Sequence, residues 1–344
     1  MEQVIRVGLD TSKHVFQVHG VDRQERVAVC RQLGRGQVEK FFAALAPTVI
    51  GLEACGASHY WARVLRELGH EARLLPPQYV KAYVKRGKSD RIDAEAICEA
   101  MSRPSMRFVP VKSADEQAAA MLLSVRDMLV KQRTMLVNAA RGLVKSAGGR
   151  LPKCSTESFA LKVAAGIPEG METALTPLLD QVTALTQQIH SLDEKIAALE
   201  KRYPEVARLR TVPGVGPVIA TAYVLTLDSP ATAASSRAVG AFLGLRPRQS
   251  QSGESNPQHR ISKTGNGYLR RLLVQAAQYV LGPFGPDSQL RRWGLQLAGS
   301  GGPRGKKRAV VAVARKLAVL LHHLWRSGQN YRPFPQAHSG CARP

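Results

Sequence analysis

The chain has 344 residues, enough for two domains that each bury a core of their own. Its 44% hydrophobic content is that of a globular protein and excludes wholesale disorder. The formal net charge of +23 calls for a polyanionic partner, because every Lys or Arg that neutralises a phosphate releases counterions. From the N-terminus, Val4 to Leu9 predicts a short apolar strand that ends in Asp10. Val15 to Val21 and Arg26 to Leu33 read as two more strands joined as hairpins, and Val38 to Leu45 as a helix. Thr48 to Leu52 is a buried strand that ends in Glu53. The helix His59 to Leu68, the strand Glu71 to Leu75 and the helix Gln78 to Val84 follow. A basic loop, Lys85 to Lys88, then leads into a helix that starts near Ser89.

Three hairpin strands followed by helix–strand alternation describe a mixed sheet of the ribonuclease H kind. The absence of G-x-G-x-x-G after the first strand argues against a dinucleotide fold. Ala114 to Ala147 reads as a long basic amphipathic helix, and a Gly-, Pro- and Ser-containing stretch to Pro168 connects it to another. That second helix carries a heptad seam of Met171, Leu175, Leu178, Val182, Leu185, Ile189, Leu192, Ile196 and Leu199. An antiparallel pairing within one subunit and a dimerisation arm both satisfy the seam. Tyr203-Pro204 stops the helix, and short helices and loops rich in Arg, Lys and Gly are expected beyond it. No acid follows Asp287, and the stretch 299–308 reads as a mobile basic loop.

Four acids stand where chemistry could use them. Asp10 in G-L-D-T-S-K and Glu53 in I-G-L-E-A end two strands, while Asp90 and Asp93 lie three apart at a helix start. Each alone has a bland reading as a turn or cap residue, Asp90 as the cap of its own helix. Together, in so basic a chain, they read as an oxygen-donor site for Mg2+, with a two-ion arrangement possible and Mn2+ able to substitute. Glu95 and Glu99 are bystanders on the exposed face of the same helix. The five cysteines (Cys30, Cys55, Cys98, Cys154, Cys341) show no C-x-x-C pair, and the nine histidines no zinc spacing. His322 and His323 read as packing and surface residues.

In the basic half, T-V-P-G-V-G-P-V-I-A at 211–220 has the form of a helix-hairpin-helix turn, whose glycines let backbone amides approach a phosphate, or of a plain tight turn. Between Arg237 and Arg271 lie seven Arg or Lys residues against the single acid Glu254. A serine in that setting is a nucleophile toward phosphodiester or a phosphate hydrogen-bond donor. Chemistry alone favours the donor, since no general base lies nearby in the sequence.

Nearly end to end, the chain resembles the DEDD-type insertion-sequence transposases, the bridge-RNA-guided serine recombinases. The resemblance rests on G-L-D-T-S-K at Asp10, L-E-A at Glu53, K-S-D-R-I-D-A at Asp90 and Asp93, and P-G-V-G-P-V-I-A at 213–220. It extends through G-L-R-P-R-Q-x-x-S-G at 244–253 and I-S-K-T-G-N-G-Y-L-R-R-L-L at 261–273. It implies a RuvC-like domain over 1–112 whose four acids hold magnesium, long helices and a coiled coil over 113–204, and a mainly helical transposase domain over 205–344. The implied nucleophile is Ser252, directly before Gly253, with Ser250 as the alternative; Glu254 stands where the family has a glycine. The implied reaction joins serine covalently to DNA and exchanges strands between donor and target sites, with both sites specified by a non-coding bridge RNA. Dimers assembling to tetramers are implied, with acids of one protomer working beside the serine of another.

A RuvC-like junction resolvase or nuclease without a covalent intermediate is the alternative, and an architectural nucleic-acid-binding protein a third. The N-terminus shows no signal-peptide pattern, and the apolar run Ala309 to Trp325 is broken by Arg315 and Lys316 and too short to span a bilayer. A cytoplasmic, nucleoid-associated protein with no membrane partner is expected.

Overall fold

A computed structural model describes residues 4–85, 87, 89–257, 259–300 and 302–334. Cys341 and the basic-loop residues Arg86 and Lys88 lie outside them. The chain divides into two compact units, residues 1–118 and 119–344. Mixed α/β structure occupies the first and helices dominate the second.

The first unit is a five-stranded sheet in the order β3-β2-β1-β4-β5, built from β1 (Arg6–Thr11), β2 (Val15–Val21), β3 (Val27–Gly34), β4 (Val49–Glu53) and β5 (Glu71–Leu75). The first three strands are antiparallel; β4 runs parallel to β1, and β5 parallel to β4. The helices are α1 (Val38–Ala43), α2 (Ser58–Glu67), α3 (Pro77–Val80) and α4 (Asp90–Ala100). Val7 and Leu9 of β1 and Ile50 and Leu52 of β4 are fully buried, as expected of central parallel strands. Val7, Leu9, Phe16, Ile50, Leu52, Trp61, Leu65 and Leu74 form one core, and Phe16 meets Trp61 edge to face at 4.9 Å. The predicted helix over 78–84 is instead the short α3 followed by a 3-10 turn, Lys81–Tyr83.

The second unit contains most of α5 (Ala114–Ser146), α6 (Phe159–Ala164) and α7 (Glu172–Ala198). It continues with α8 (Glu205–Leu209), α9 (Pro217–Leu227), α10 (Val239–Phe242), α11 (Gly267–Leu281), α12 (Gln289–Ser300) and α13 (Gly305–Ser327). Helices α5 and α7 pair antiparallel within the chain. Arg126 binds Asp193 and Arg133 reaches Thr186 Oγ1 at 3.2 Å, seven residues forward on one helix and seven back on the other. Val137, Ala140 and Val144 share a core with Leu175, Leu179, Val182 and the α6 residues Phe159 and Val163. Leu179 is buried where the heptad predicts Leu178, which is half-buried.

The segment beyond Tyr203 departs from the expected short helices and loops. α13 is 23 residues long. The 299–308 stretch is no open loop among its described residues: α12 ends at Ser300, a 3-10 turn spans Gly302–Arg304, and α13 begins at Gly305. The junction is tight because a Cβ on Gly305 would meet the Ala298 carbonyl at 2.4 Å, so only glycine lets the two helices approach. A further departure is a hairpin-like ribbon among the described residues of 246–262, held by isolated bridges and not by regular strands and described with the site below.

Candidate nucleic-acid cleavage and strand-transfer sites

The parallel register pairs Gly8 with Gly51 and Leu9 with Leu52, so Asp10 and Glu53 are the next residues along neighbouring strands. They leave the carboxyl ends of β1 and β4, where open α/β sheets place their sites. The loop beyond Glu53 is held by Ser58, whose hydroxyl accepts from the Cys55 N–H and donates to the Cys55 carbonyl, both at 3.0 Å.

The glycines two residues before each acid bring the other two acids in. A Cβ on Gly8 would lie 2.0 Å from the Ala94 carbonyl and 2.6 Å from the Cys98 nitrogen, and one on Gly51 would lie 2.6 Å from Met101 Sδ. Both missing side chains leave a flat place on the sheet, and α4 lies directly against it. Asp90 and Asp93 occupy the first turn of α4. Ser89, whose hydroxyl accepts from the Ile92 N–H, caps that helix, so the reading of Asp90 as the cap gives way to Ser89. Sequence reasoning listed the acids but missed the glycines; the signal was the repeat of Gly-Leu-acid at 8–10 and 51–53.

Burial raises the Asp10 carboxyl to about 6, assisted by the negative charges of Asp93, Asp90 and Glu53. Glu53 is also raised, by burial and then by Asp93. Asp10 therefore feels the other three acids, and Glu53 feels Asp93. They do so as an open set, since among the described residues no three His, Cys, Asp or Glu side chains are drawn close enough to hold a metal ion. The donor chemistry still fits a hard divalent cation: oxygen only, on half-buried Asp10, Glu53 and Asp93 and exposed Asp90, whose mutual repulsion a cation would relieve. Such an ion keeps several waters and needs few direct ligands. Glu95 pairs with Lys85 at 2.5 Å and Glu99 with Arg103 at 3.6 Å, as bystanders would.

The serine lies on the ribbon. The Ser262 N–H donates to the Arg246 carbonyl at 2.8 Å and the Arg248 N–H to the Arg260 carbonyl at 2.9 Å, while Pro247 bridges Ile261. Ser252 and Ser255 close the tip with reciprocal backbone bonds of 3.1 and 3.0 Å. Gly253 takes φ +54° and Glu254 does not, the pattern of a two-residue hairpin loop that needs glycine first. Glu254 in place of a glycine is thus no obstacle to the turn. Ser250, Ser252, Arg246, Arg248 and Arg260 are all exposed, and none of the three arginines has an ion-pair partner among the described residues. Nor does the Ser252 hydroxyl have a hydrogen-bond partner among them.

The ribbon's base is rigid. Cβ atoms on Gly244 and Gly265 would meet the Thr264 carbonyl at 2.3 Å and the Phe242 carbonyl at 2.1 Å. Arg270 Nη1 donates to the carbonyls of Leu243 (2.9 Å) and Thr264 (2.7 Å). The Asn266 side chain caps α11 by accepting from the Leu269 N–H at 3.0 Å. Upstream, α8 and α9 are joined by a turn in which Gly214 adopts φ +82°, packed on Ala276 and Tyr279. His322 is buried, with Ser236 Oγ at 2.8 Å and the Pro230 carbonyl at 3.0 Å, so it is a packing residue.

A sheet that presents acids and a helical unit that presents a basic ribbon suit an enzyme acting on phosphodiesters. Residues 206–291 match the family described as Transposase IS116/IS110/IS902, and residues 7–148 match a second family described as Transposase. The chain is 43% identical over 336 residues to a probable family 20 transposase of Pseudomonas aeruginosa, covering 95% of this chain and 98% of that one. It is 40% identical over 338 residues to a putative transposase, y4pF/y4sB, of Sinorhizobium fredii (96% and 87%). It is 35% identical over 338 residues to the transposase for insertion sequence element IS1111A of Coxiella burnetii (96% and 92%). The chain belongs to the IS116/IS110/IS902 transposase family and is an enzyme of that kind. No helix among the described residues is long and apolar enough to cross a membrane.

Proposed function

We propose that this transposase cuts and rejoins DNA through a covalent link to Ser252, in a reaction that depends on a divalent cation held by Asp10, Glu53, Asp90 and Asp93. The observation that carries the reading is the placement of Asp10 and Glu53 at the carboxyl ends of the adjacent parallel strands β1 and β4, beside the helix whose first turn holds Asp90 and Asp93; the raised Asp10 carboxyl agrees with it. In a protein whose partner is a polyanion, a bound cation would relieve the repulsion of such a cluster and turn it toward phosphate. Mg2+ fits the donor set, with Mn2+ as substitute, and would supply positive charge against that developing on the phosphate. The sheet order β3-β2-β1-β4-β5, with β1–β3 antiparallel, supports a RuvC-like fold for residues 1–112.

In the serine step, Oγ of Ser252 attacks phosphorus, and the bond from phosphorus to a sugar oxygen breaks. The serine proton passes to water, and the departing sugar oxygen takes up a proton. Rejoining follows when a sugar hydroxyl attacks a serine-linked phosphorus and gives its proton to water, the phosphorus–Oγ bond breaks, and Oγ of Ser252 is reprotonated. Arg246, Arg248 and Arg260, which have no carboxylate partner among the described residues, bind the phosphates on either side. The α8–α9 turn serves as a helix-hairpin-helix contact to a DNA backbone. Residues 113–204 act as a coiled-coil arm by which dimers and then tetramers assemble. Met121, Val125, Met128 and Met135, exposed at helical spacing on α5, support that role. Residues 205–344 form the transposase domain. A non-coding bridge RNA selects donor and target DNA, and the reaction takes place in the cytoplasm on nucleoid DNA.

The test is a covalent protein–DNA adduct that survives denaturation, formed with magnesium, flanking RNA, donor and target. Ser252→Ala abolishes it if Ser252 is the nucleophile; an adduct retained by that variant and lost in Ser250→Ala moves the role to Ser250. The Ser252 hydroxyl has no hydrogen-bond partner among the described residues, which favours a second reading, hydrolysis by water as in a RuvC-like resolvase. Cleavage without any adduct, lost in Asp10→Ala, would establish it.

A further inference from the structure

Outside both sites, one face of α12 carries Gln289, Arg292, Trp293 and Gln296, three and four residues apart. With Phe334 they line a cleft of about 340 Å³. Phe334 does not rest there by collapse, since it stays 49% exposed. Its segment is pinned at two points: the Gln289 N–H donates to the Pro333 carbonyl at 3.0 Å, and the Tyr331 N–H to Thr211 Oγ1 at 3.1 Å. Each ring has a cation beside it. The Arg292 guanidinium lies 4.8 Å from the Phe334 centroid and Lys316 Nζ lies 3.9 Å from that of Trp293. Asp287 orients Arg292 through bonds of 3.0 Å to Nε, and no acid follows it in the sequence.

We infer that this cleft binds a single unpaired nucleotide of a nucleic-acid strand. The chemistry is complementary group by group. Aromatic rings offer π surface to a base, two glutamine amides offer both donors and acceptors to its edge, and Arg292 and Lys316 meet the phosphates. A duplex cannot use the cleft, because its bases are stacked and their edges paired. The inference rests on the reading of the chain as a nucleic-acid recombinase, and it adds where an unpaired base is held.

The test is fluorescence anisotropy of the full chain with labelled oligo-dT and oligo-U of about 12 nucleotides, within the reach of one such site, and with a duplex. Phe334→Ala and Trp293→Leu each weaken single-strand binding about tenfold, Phe334→Tyr restores it, and duplex binding stays within about twofold. Stronger retention of oligo-U assigns the site to RNA, and of oligo-dT to a displaced DNA strand. Unchanged single-strand affinity in Phe334→Ala, or equal losses on single strand and duplex, overturns the inference. Binding is read without cleavage, so a wild type that forms no adduct defeats the proposed reaction and leaves this measurement decisive.

Discussion

The carboxylates and the serine are presented in opposite ways. Asp10 and Glu53 end central strands of the sheet, and α4 is seated on two glycines whose missing side chains let it approach. The serine flanks an exposed two-residue turn at the tip of a ribbon that is anchored at its base. A charge cluster must be built rigidly, because like charges held together need the fold to oppose their repulsion. A hydroxyl carries no charge to restrain and can be shaped by the substrate that meets it.

The widest break in this comparison is Asp10→Asn. It removes a cluster carboxylate with little change of volume, so cleavage should fall by about a thousandfold or more, in the range of losing a central catalytic group. Added Mg2+ should raise the melting temperature of wild type but not of the variant. Cleavage within about tenfold of wild type would remove Asp10 from the chemistry.

Gly8→Ala tests the rigid side without touching an acid. Backbone atoms of α4 occupy the space, so the helix must lift, at about 1–3 kcal/mol and a drop of several degrees in melting temperature. Cleavage should fall with it, while binding of duplex DNA to the basic unit is retained. A variant of unchanged melting temperature would mean that α4 sits less closely than described.

On the adaptable side, Arg248→Ala and Arg260→Ala should each weaken DNA binding only several-fold, with no loss of melting temperature. Each should reduce the slope of log affinity against log salt by about one, the signature of a lost phosphate contact. An unchanged slope would detach the ribbon from the DNA.

The smallest effect is on stability against pH without metal. The folded Asp10 carboxyl, at about 6, holds its proton above the usual carboxylate range, so the folded state binds more protons than the unfolded one between about 4 and 6. Stability therefore falls as pH rises through that window and levels off above it. After discounting for solvent screening of a half-exposed group, the fall is roughly 1–2 kcal/mol. Thermal melts of Asp10→Asn should lack this step; a step of equal size in the variant would place the titration elsewhere.

What the sequence determined by itself was whatever local pattern dictates. The strands Val15–Val21 and Glu71–Leu75 are where alternation and apolar runs put them, and α5 and α7 follow from helical periodicity. The order of the four acids along the chain was legible too, as were the basic half and the family motifs. The tertiary structure decided what depends on partners distant in sequence. It chose Leu179 over Leu178 for the seam, because the antiparallel register with α5 sets which side is covered. It made the 299–308 stretch a helix junction, because Gly305 lets α13 approach α12 more closely than its Gly-Pro composition suggests. It turned 246–262 into a ribbon, because Arg270, Gly244 and Gly265 bind two segments together that show no strand pattern alone. The Gly8–Gly51 pair belongs to the same class: each glycine is written in the sequence, but only the parallel register of β1 and β4 makes them a single seat for the helix that carries Asp90 and Asp93.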